Sequence, residues 1–373
     1  MGLVSAWASR LGGGVFEAVV AHAALVRACG YEPVVVALED AHSAADRARF
    51  GDTEVVTCAV SGPAMIGYAP DLGGALRGAR LDLLHLHGIW MYPSLAASDW
   101  AAATGRPYVI SPHGMLDPWI TGRGKLKKAV ARAAYEHRSW KRATLFHALT
   151  GREADDIARE SGRRASVVIP NAIPAAANHS RTARPAALYL GRIHPKKNID
   201  ALIDGWDLAA DALRPHGAEL TIAGWGDPAD VAALEGRLAA RGETDIRFVG
   251  PVYGEAKRAL LSGARFVTLP SHSEGLPMVI LEGWAAGTPA ILSEHCNLPE
   301  GFAAGAAIDC GTTPDKIAAA LRSGFALTSP AWEAMSAAAT ALAASRFSPD
   351  AVAASWREIY SALLSGAPAG HRA

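Results

Sequence analysis

The sequence predicts an α/β protein made of two doubly wound parallel sheets, and three observations carry that prediction. Short apolar runs alternate with longer stretches of helical period along almost the whole chain. Strands that read as unbroken apolar runs are covered on both faces, as in parallel βαβ units. The chain has 373 residues, long for one core and comfortable for two. Finally, residues 174–185 are rich in Pro, Ala, Asn, Ser, Thr and Arg and carry no hydrophobic period, so they read as a linker between two series of strands.

In the first series the candidate strands are residues 3–6, 33–38, 55–60, 83–87, 108–111, 145–148 and 167–169. The second series comprises residues 187–190, 219–223, 246–249, 266–269 and 290–293. Between them, residues 16–29, 126–142, 198–213, 228–241 and 277–286 carry helical spacing. A last helix at residues 349–364 puts Val352, Trp356, Ile359, Tyr360 and Leu363 on one stripe, suited to packing back across both domains. The expected division is therefore 1–175 and 176–345, with the terminal helix in 346–373 returning toward the N-terminal domain.

Lys plus Arg and Asp plus Glu each number 36, which argues against a surface built throughout for nucleic acid. The four cysteines, Cys29, Cys58, Cys296 and Cys310, form no CxxC pair. A disulfide framework or structural zinc is not expected, and a reduced compartment fits. No apolar run is long enough to span a bilayer, and residues 1–7 lack the basic region and cleavage site of a secretory signal. The expectation is a cytoplasmic protein.

Four segments carry candidate chemistry. Residues 273–282 read Ser-Glu-Gly-Leu-Pro-Met-Val-Ile-Leu-Glu after a strand, with Pro277 suited to a first helical turn. A helix N-terminus there favours anionic or hydroxylic ligands, and Glu274 and Glu282 are spaced to reach different hydroxyls of one extended ligand. Spacing alone leaves a plain helix cap and a solvated side chain equally open. Residues 188–198 carry Gly191, Arg192 and Lys197 beyond the end of a strand, where open parallel sheets bind ligands; cations there suit a diphosphate and charge on a leaving group. Two exposed surface cations are the alternative. The turn Gly12-Gly13-Gly14 precedes the first helix and would allow close approach of a phosphate, or be a plain loop. His113 and His87 lie at strand carboxyl ends; His85 reads as structural. Nothing in the histidine spacing makes a metal site.

Together these segments resemble glycosyltransferase family 4, a group of retaining enzymes with the GT-B fold, over nearly the whole chain. Gly191-Arg192, Lys197-Asn198 and Glu274-x7-Glu282 stand in the family's order and separation, with Asn198 where glycine is common. Residues 111–119 (SPHGMLDPW), a basic helix, and residues 145–157 (LFHALTGREADDI) are further similar to members that build bacterial exopolysaccharide or O-antigen repeat units. The resemblance implies two Rossmann-like domains facing across a cleft that holds a nucleotide-sugar donor. It implies Arg192 and Lys197 on the donor diphosphate, Glu282 on the ribose, and Glu274 on the sugar, with the backbone of Gly275, Leu276 and Pro277 close by. It also implies His113 at the transferred sugar, Gly13 and Gly14 over the phosphates, and Val252 in the turn beside the base. No metal or other cofactor is implied.

The acceptor expected is a saccharide or a polyprenyl-diphosphate-linked saccharide docking on the first domain. Residues 123–142 hold eight Lys or Arg against the single acid Glu136, with Trp119, Ile120, Tyr135 and Trp140 nearby. That pattern fits either peripheral contact with an anionic membrane or a solvated helix face. The rival readings of the whole chain are a non-catalytic sugar-nucleotide binding module and a sugar phosphate synthase or epimerase on the same fold. No nucleic-acid motif is present.

Overall fold

A computed structural model of the chain describes residues 1–164, 166–173, 185–242 and 245–366. The predicted linker lies outside these residues except for Pro185. The chain divides into two compact units: Met1–Asn171 with the chain from Val352 onward, and Ala172–Ala351.

The first unit is built on seven parallel strands: β1 (Gly2–Trp7), β2 (Val34–Leu38), β3 (Glu54–Cys58), β4 (Leu84–His87), β5 (Tyr108–Ser111), β6 (Leu145–Ala148) and β7 (Ser166–Val168). Their order is β3-β2-β1-β4-β5-β6-β7. Every residue of β4, β5 and β6 is buried, as expected of strands covered by helices on both faces. Trp100, Tyr108, Trp140 and Phe146 fill one core cluster with aliphatic side chains from β2, β4 and β5. The terminal helix Pro349–Ser365 belongs to this unit from Val352 onward, and its stripe of Val352, Trp356, Ile359, Tyr360 and Leu363 is buried.

The second unit has six parallel strands: β8 (Ala186–Leu190), β9 (Glu219–Ala223), β10 (Ile246–Phe248), β11 (Phe266–Leu269), β12 (Ala290–Leu292) and β13 (Ala307–Asp309). Their order is β10-β9-β8-β11-β12-β13, and Tyr189, Trp206, Phe266, Trp284 and Phe347 are fully buried in the core. The sequence pattern did not disclose β13. It is an edge strand of three residues whose one large apolar side chain is Ile308, too little for an apolar run.

The stretch 126–142, read as one helix, is also interrupted. It consists of Lys125–Ala131, a wider five-residue turn at Arg132–Glu136, and His137–Arg142. Wide turns of this kind often accompany functional sites, and this one carries a fully buried carboxylate, Glu136. Trp140 is buried too, so it belongs to the core and not to a membrane-facing surface. All four cysteines are buried and unpaired. Among the described residues no helix is long and apolar enough to cross a membrane.

Candidate active site

In each sheet the chain starts centrally, winds to one edge, then crosses back and winds to the other. The loops after β1 and β4, and after β8 and β11, therefore diverge. Such switch points leave crevices at the strands' carboxyl ends, where open α/β sheets bind ligands.

At the switch point of the second sheet, the loop after β8 brings Lys197 to Glu274 in the loop after β11. Lys197 Nζ donates to Glu274 Oε1 at 2.5 Å, and Ser271 Oγ donates to the same oxygen at 2.6 Å. The pair is largely sheltered, with side-chain exposures of 21% and 10%. Backbone and amide contacts fix both loops. Asn198 adopts a left-handed φ of 60°, which explains asparagine where glycine is common in the family, because asparagine tolerates that region. Its side-chain amide donates to the carbonyls of Pro270 (3.1 Å) and Thr312 (2.8 Å). Glu274 N donates to His295 O at 2.9 Å, and Asn297 Nδ2 donates to Glu274 O.

The Arg192 loop is pinned from the other side. A Cβ at Gly224 would lie 1.8 Å from Gly191 O, and one at Gly226 would lie 2.4 Å from Ile193 O. Only glycine permits that approach, which Gly191 N→Ala223 O (3.0 Å) and Ile193 N→Trp225 O (2.6 Å) bonds then hold. Arg192 is half exposed and paired with Asp227 at 3.2 Å. Glu282 faces Lys257 at 2.6 Å. Val252 is half-buried beside exposed Tyr253, whose ring centroid is 6.4 Å from that of exposed Trp225. The helix begins at Met278, one residue later than a first-turn proline predicts, and Pro277 is its extended N-cap. Ile280 N donates back to Pro277 O at 3.0 Å, while helix geometry gives the N–H groups of Met278 and Val279 no intrahelical acceptor. Leu276 is half-buried against the core, and a Cβ added at Gly275 meets nothing within 4 Å.

In the first unit, Gly13 (φ +55°) joins the Arg10–Gly12 turn to the Gly14–Ala28 helix. A Cβ at Gly13 or Gly14 would stand in open space. Packing thus requires neither glycine, and at Gly14 the backbone does not either. His113, just past β5, sits at a φ of +54°, a region few non-glycine residues adopt, histidine more readily than most. Glu153 holds this turn: its carboxylate accepts from Gly114 N (2.6 Å) and Leu149 N (2.8 Å). His113 Nε2 shares a proton with His87 Nδ1 at 2.9 Å.

His87 belongs to a buried network. Tyr360 Oη lies 2.5 Å from His22 Nε2 and 3.1 Å from His85 Nδ1. Ser111 Oγ joins His85 Nε2 to His147 Nδ1, each at 2.6 Å, and His147 Nε2 donates to Ile169 O at 2.7 Å. Burial pushes His22, His85 and His87 well below the usual imidazole range. Burial, with His147 nearby, pushes His113 down to about 3, and burial pushes His147 down to about 4. One possible ligand atom from each of His22, His85 and His87 lies within 4.8 Å of the others. Sequence spacing missed this grouping because it joins β4 to the Gly14–Ala28 helix; the Tyr360 hydroxyl already engages two of the three rings.

Sequence reasoning also missed Ser271, the Gly224 and Gly226 contacts, Glu136 and Glu153. For Glu153 a signal existed: Thr150-x-x-Glu153 has the form of a capping box, and Thr150 Oγ1 does accept from Glu153 N at 3.2 Å.

Two doubly wound parallel sheets are the architecture of the GT-B glycosyltransferases. Residues 13–172 match the family described as glycosyl transferase 4-like domain, and residues 184–325 the family described as glycosyl transferases group 1. The chain belongs to this glycosyltransferase group 1 family. It is 30% identical to a Mycobacterium tuberculosis glycogen synthase over 285 residues, covering 72% of this chain and 64% of that one. It is 30% identical to a Streptomyces avermitilis D-inositol 3-phosphate glycosyltransferase over 316 residues, covering 77% and 67%. Its fold is similar to that of Anabaena HepE, crystallised with UDP and glucose, at a TM-score of 0.76 and 17% identity over 97% of this chain and 100% of that one.

Proposed function

We propose that the protein is a retaining hexosyltransferase that uses a nucleotide diphosphate sugar. The observation carrying this reading is the Lys197–Glu274 pair at the second sheet's switch point. A cation there suits the departing diphosphate, and a carboxylate suits the sugar hydroxyls. Arg192 exchanges Asp227 for the diphosphate, Glu282 bonds the ribose, and the base lies beside Val252 with Trp225 as a stacking face. Gly191, Gly275, Leu276 and Pro277 let the backbone approach the sugar and phosphates. His113, Gly13 and Gly14 keep the roles that the family resemblance implies.

In the reaction, the bond from the anomeric carbon to the diphosphate oxygen breaks as an acceptor hydroxyl attacks from the same face. The new glycosidic bond retains configuration, and the hydroxyl proton passes to the departing diphosphate. No metal takes part in this scheme, so turnover should persist in excess EDTA; its loss there, restored by Mg²⁺, would contradict the scheme. Because HepE was crystallised with UDP and glucose, UDP-hexoses are the first donors to try. Thermal shift against UDP-, GDP- and ADP-sugars, then an assay of the stabilising donor for transfer, tests the function. Stabilisation by none of them would refute it.

The acceptor is a saccharide, free or polyprenyl-diphosphate-linked, in polysaccharide biosynthesis. Lys125 and Lys127, with Leu126 and Val130 exposed to 80% and 62% on the same helix, support peripheral contact with the anionic inner face of the plasma membrane. Liposomes rich in phosphatidylglycerol should sediment the protein, and Leu126→Glu should release it. Failure to sediment with either vesicle would remove the membrane from the reading, and equal sedimentation by neutral vesicles would remove its anionic preference.

A further inference from the structure

In the second unit the Gly254–Gly263 helix packs against the Met278–Ala285 helix, and each brings one charged side chain to the contact. Lys257 Nζ lies 2.6 Å from Glu282 Oε2, with side-chain exposures of 29% and 19%. Oε2 itself is closed off from solvent, and no donor among the described residues is aligned to hydrogen-bond it. The ammonium therefore holds that oxygen by charge, which leaves Oε1 as the oxygen open to a ligand. One carboxylate oxygen has room for two hydroxyl donors. Without Lys257 the sheltered carboxylate would stand uncompensated.

The helix that carries Lys257 starts directly after Val252 and Tyr253, and Lys257 N donates to Tyr253 O at 3.3 Å. One turn of helix thus joins the turn offered to the base to the carboxylate offered to the ribose. We infer that Lys257 is a positioning residue for the donor's ribose: its ammonium pins one oxygen of Glu282 so that the other accepts from the 2′ and 3′ hydroxyls. The site thereby takes a ribonucleotide and discriminates against the 2′-deoxy form. The inference rests on the transferase reading and adds to it the residue that sets this selectivity.

Isothermal titration calorimetry on the full chain with UDP, GDP and ADP identifies the diphosphate that binds, and its 2′-deoxy counterpart supplies the comparison. The ribose form should bind more tightly than the 2′-deoxy form by about ten-fold or more. Lys257→Met should weaken the ribose form by about ten-fold and the 2′-deoxy form little, bringing their ratio toward unity, while Lys257→Arg keeps it. In the transfer assay Lys257→Met should raise the donor KM with kcat within about two-fold of its starting value. Glu282→Gln should show the same loss of ratio, and adding Lys257→Met to it should weaken binding no further, because Lys257 acts through Glu282. That last comparison holds even if Lys257→Met alone does not fold. An unchanged ratio in either single variant, no preference in the parent protein, or a double variant about ten-fold weaker than Glu282→Gln would each overturn the inference and leave the transferase reading standing. Binding of none of the three diphosphates would overturn the transferase reading and the inference with it.

Discussion

Lys197 and Glu274 form a sheltered pair whose loss bears on stability and, under the proposed function, on turnover as well. Removing one partner of a sheltered ion pair leaves the other charge uncompensated, at a cost of about 3–5 kcal/mol when burial is complete and less at exposures of 21% and 10%. Lys197→Ala should therefore lower the melting temperature as well as turnover, the latter by about 10²-fold or more, by analogy with loss of a transition-state donor. Lys197→Met combined with Glu274→Gln should recover the melting temperature but not the turnover. Recovery of both, measured by calorimetry and initial rates, would show the pair to be purely structural. His113 supplies a second prediction. Its imidazole, pushed down to about 3, stays neutral in the working range. The kcat/KM profile should therefore lack a limb near pH 6.5, and a His113→Phe variant should lower the profile without changing its shape.

At the scale of elements, the interrupted helix is the clearest case of strain managed by a buried charge. Trp90 follows β4 at a φ of +79°, and its N–H donates to Glu136 Oε1 at 2.5 Å from the wide turn Arg132–Glu136. Burial outweighs that hydrogen bond and pushes the Glu136 carboxyl up to about 7. A raised carboxyl pKa penalises the folded state progressively from pH 4.5 to 7, and fully above it. Glu136→Gln keeps the acceptor for Trp90 and removes the charge. It should stabilise the protein by about 3 kcal/mol at pH 8, less below pH 7, and not at all near pH 4.5, as denaturant titrations at those three pH values would show. The sequence disclosed twelve of the thirteen described strands and the loops that bring Lys197 and Glu274 together, because apolar runs and loop motifs are local. It concealed β13, the helix interruption, and the partnerships of His87, Glu136 and Glu153. Those depend on which distant elements meet, and a buried glutamate in a basic helix looks like any solvated one.

Across the whole molecule, the first unit buries four imidazoles, His22, His85, His87 and His147, with His113 half-buried beside them, and all five are pushed below the usual imidazole range. A histidine whose folded pKa lies below its unfolded value near 6.5 contributes stability that is complete above pH 6.5 and is lost as the pH falls through the folded value. For His147, pushed down to about 4, that amounts to about 3 kcal/mol. Glu136 acts in the reverse direction between pH 7 and 4.5, but it is one group against five. Net acid sensitivity follows, with a melting temperature that drops steeply below pH 6 and cooperative unfolding approaching pH 4. His147→Asn should flatten the slope, and a melting curve level down to pH 4 would show that these rings are solvated.

The burial of Cys29, Cys58, Cys296 and Cys310, with their thiols pushed up by desolvation, has a practical result. A maleimide dye applied to the native protein finds no reactive native sulfur. A cysteine introduced at Leu11 or Leu126, both exposed, would then carry the fluorophore, giving one optical reporter on the glycine-rich turn after β1 and another on the basic helix.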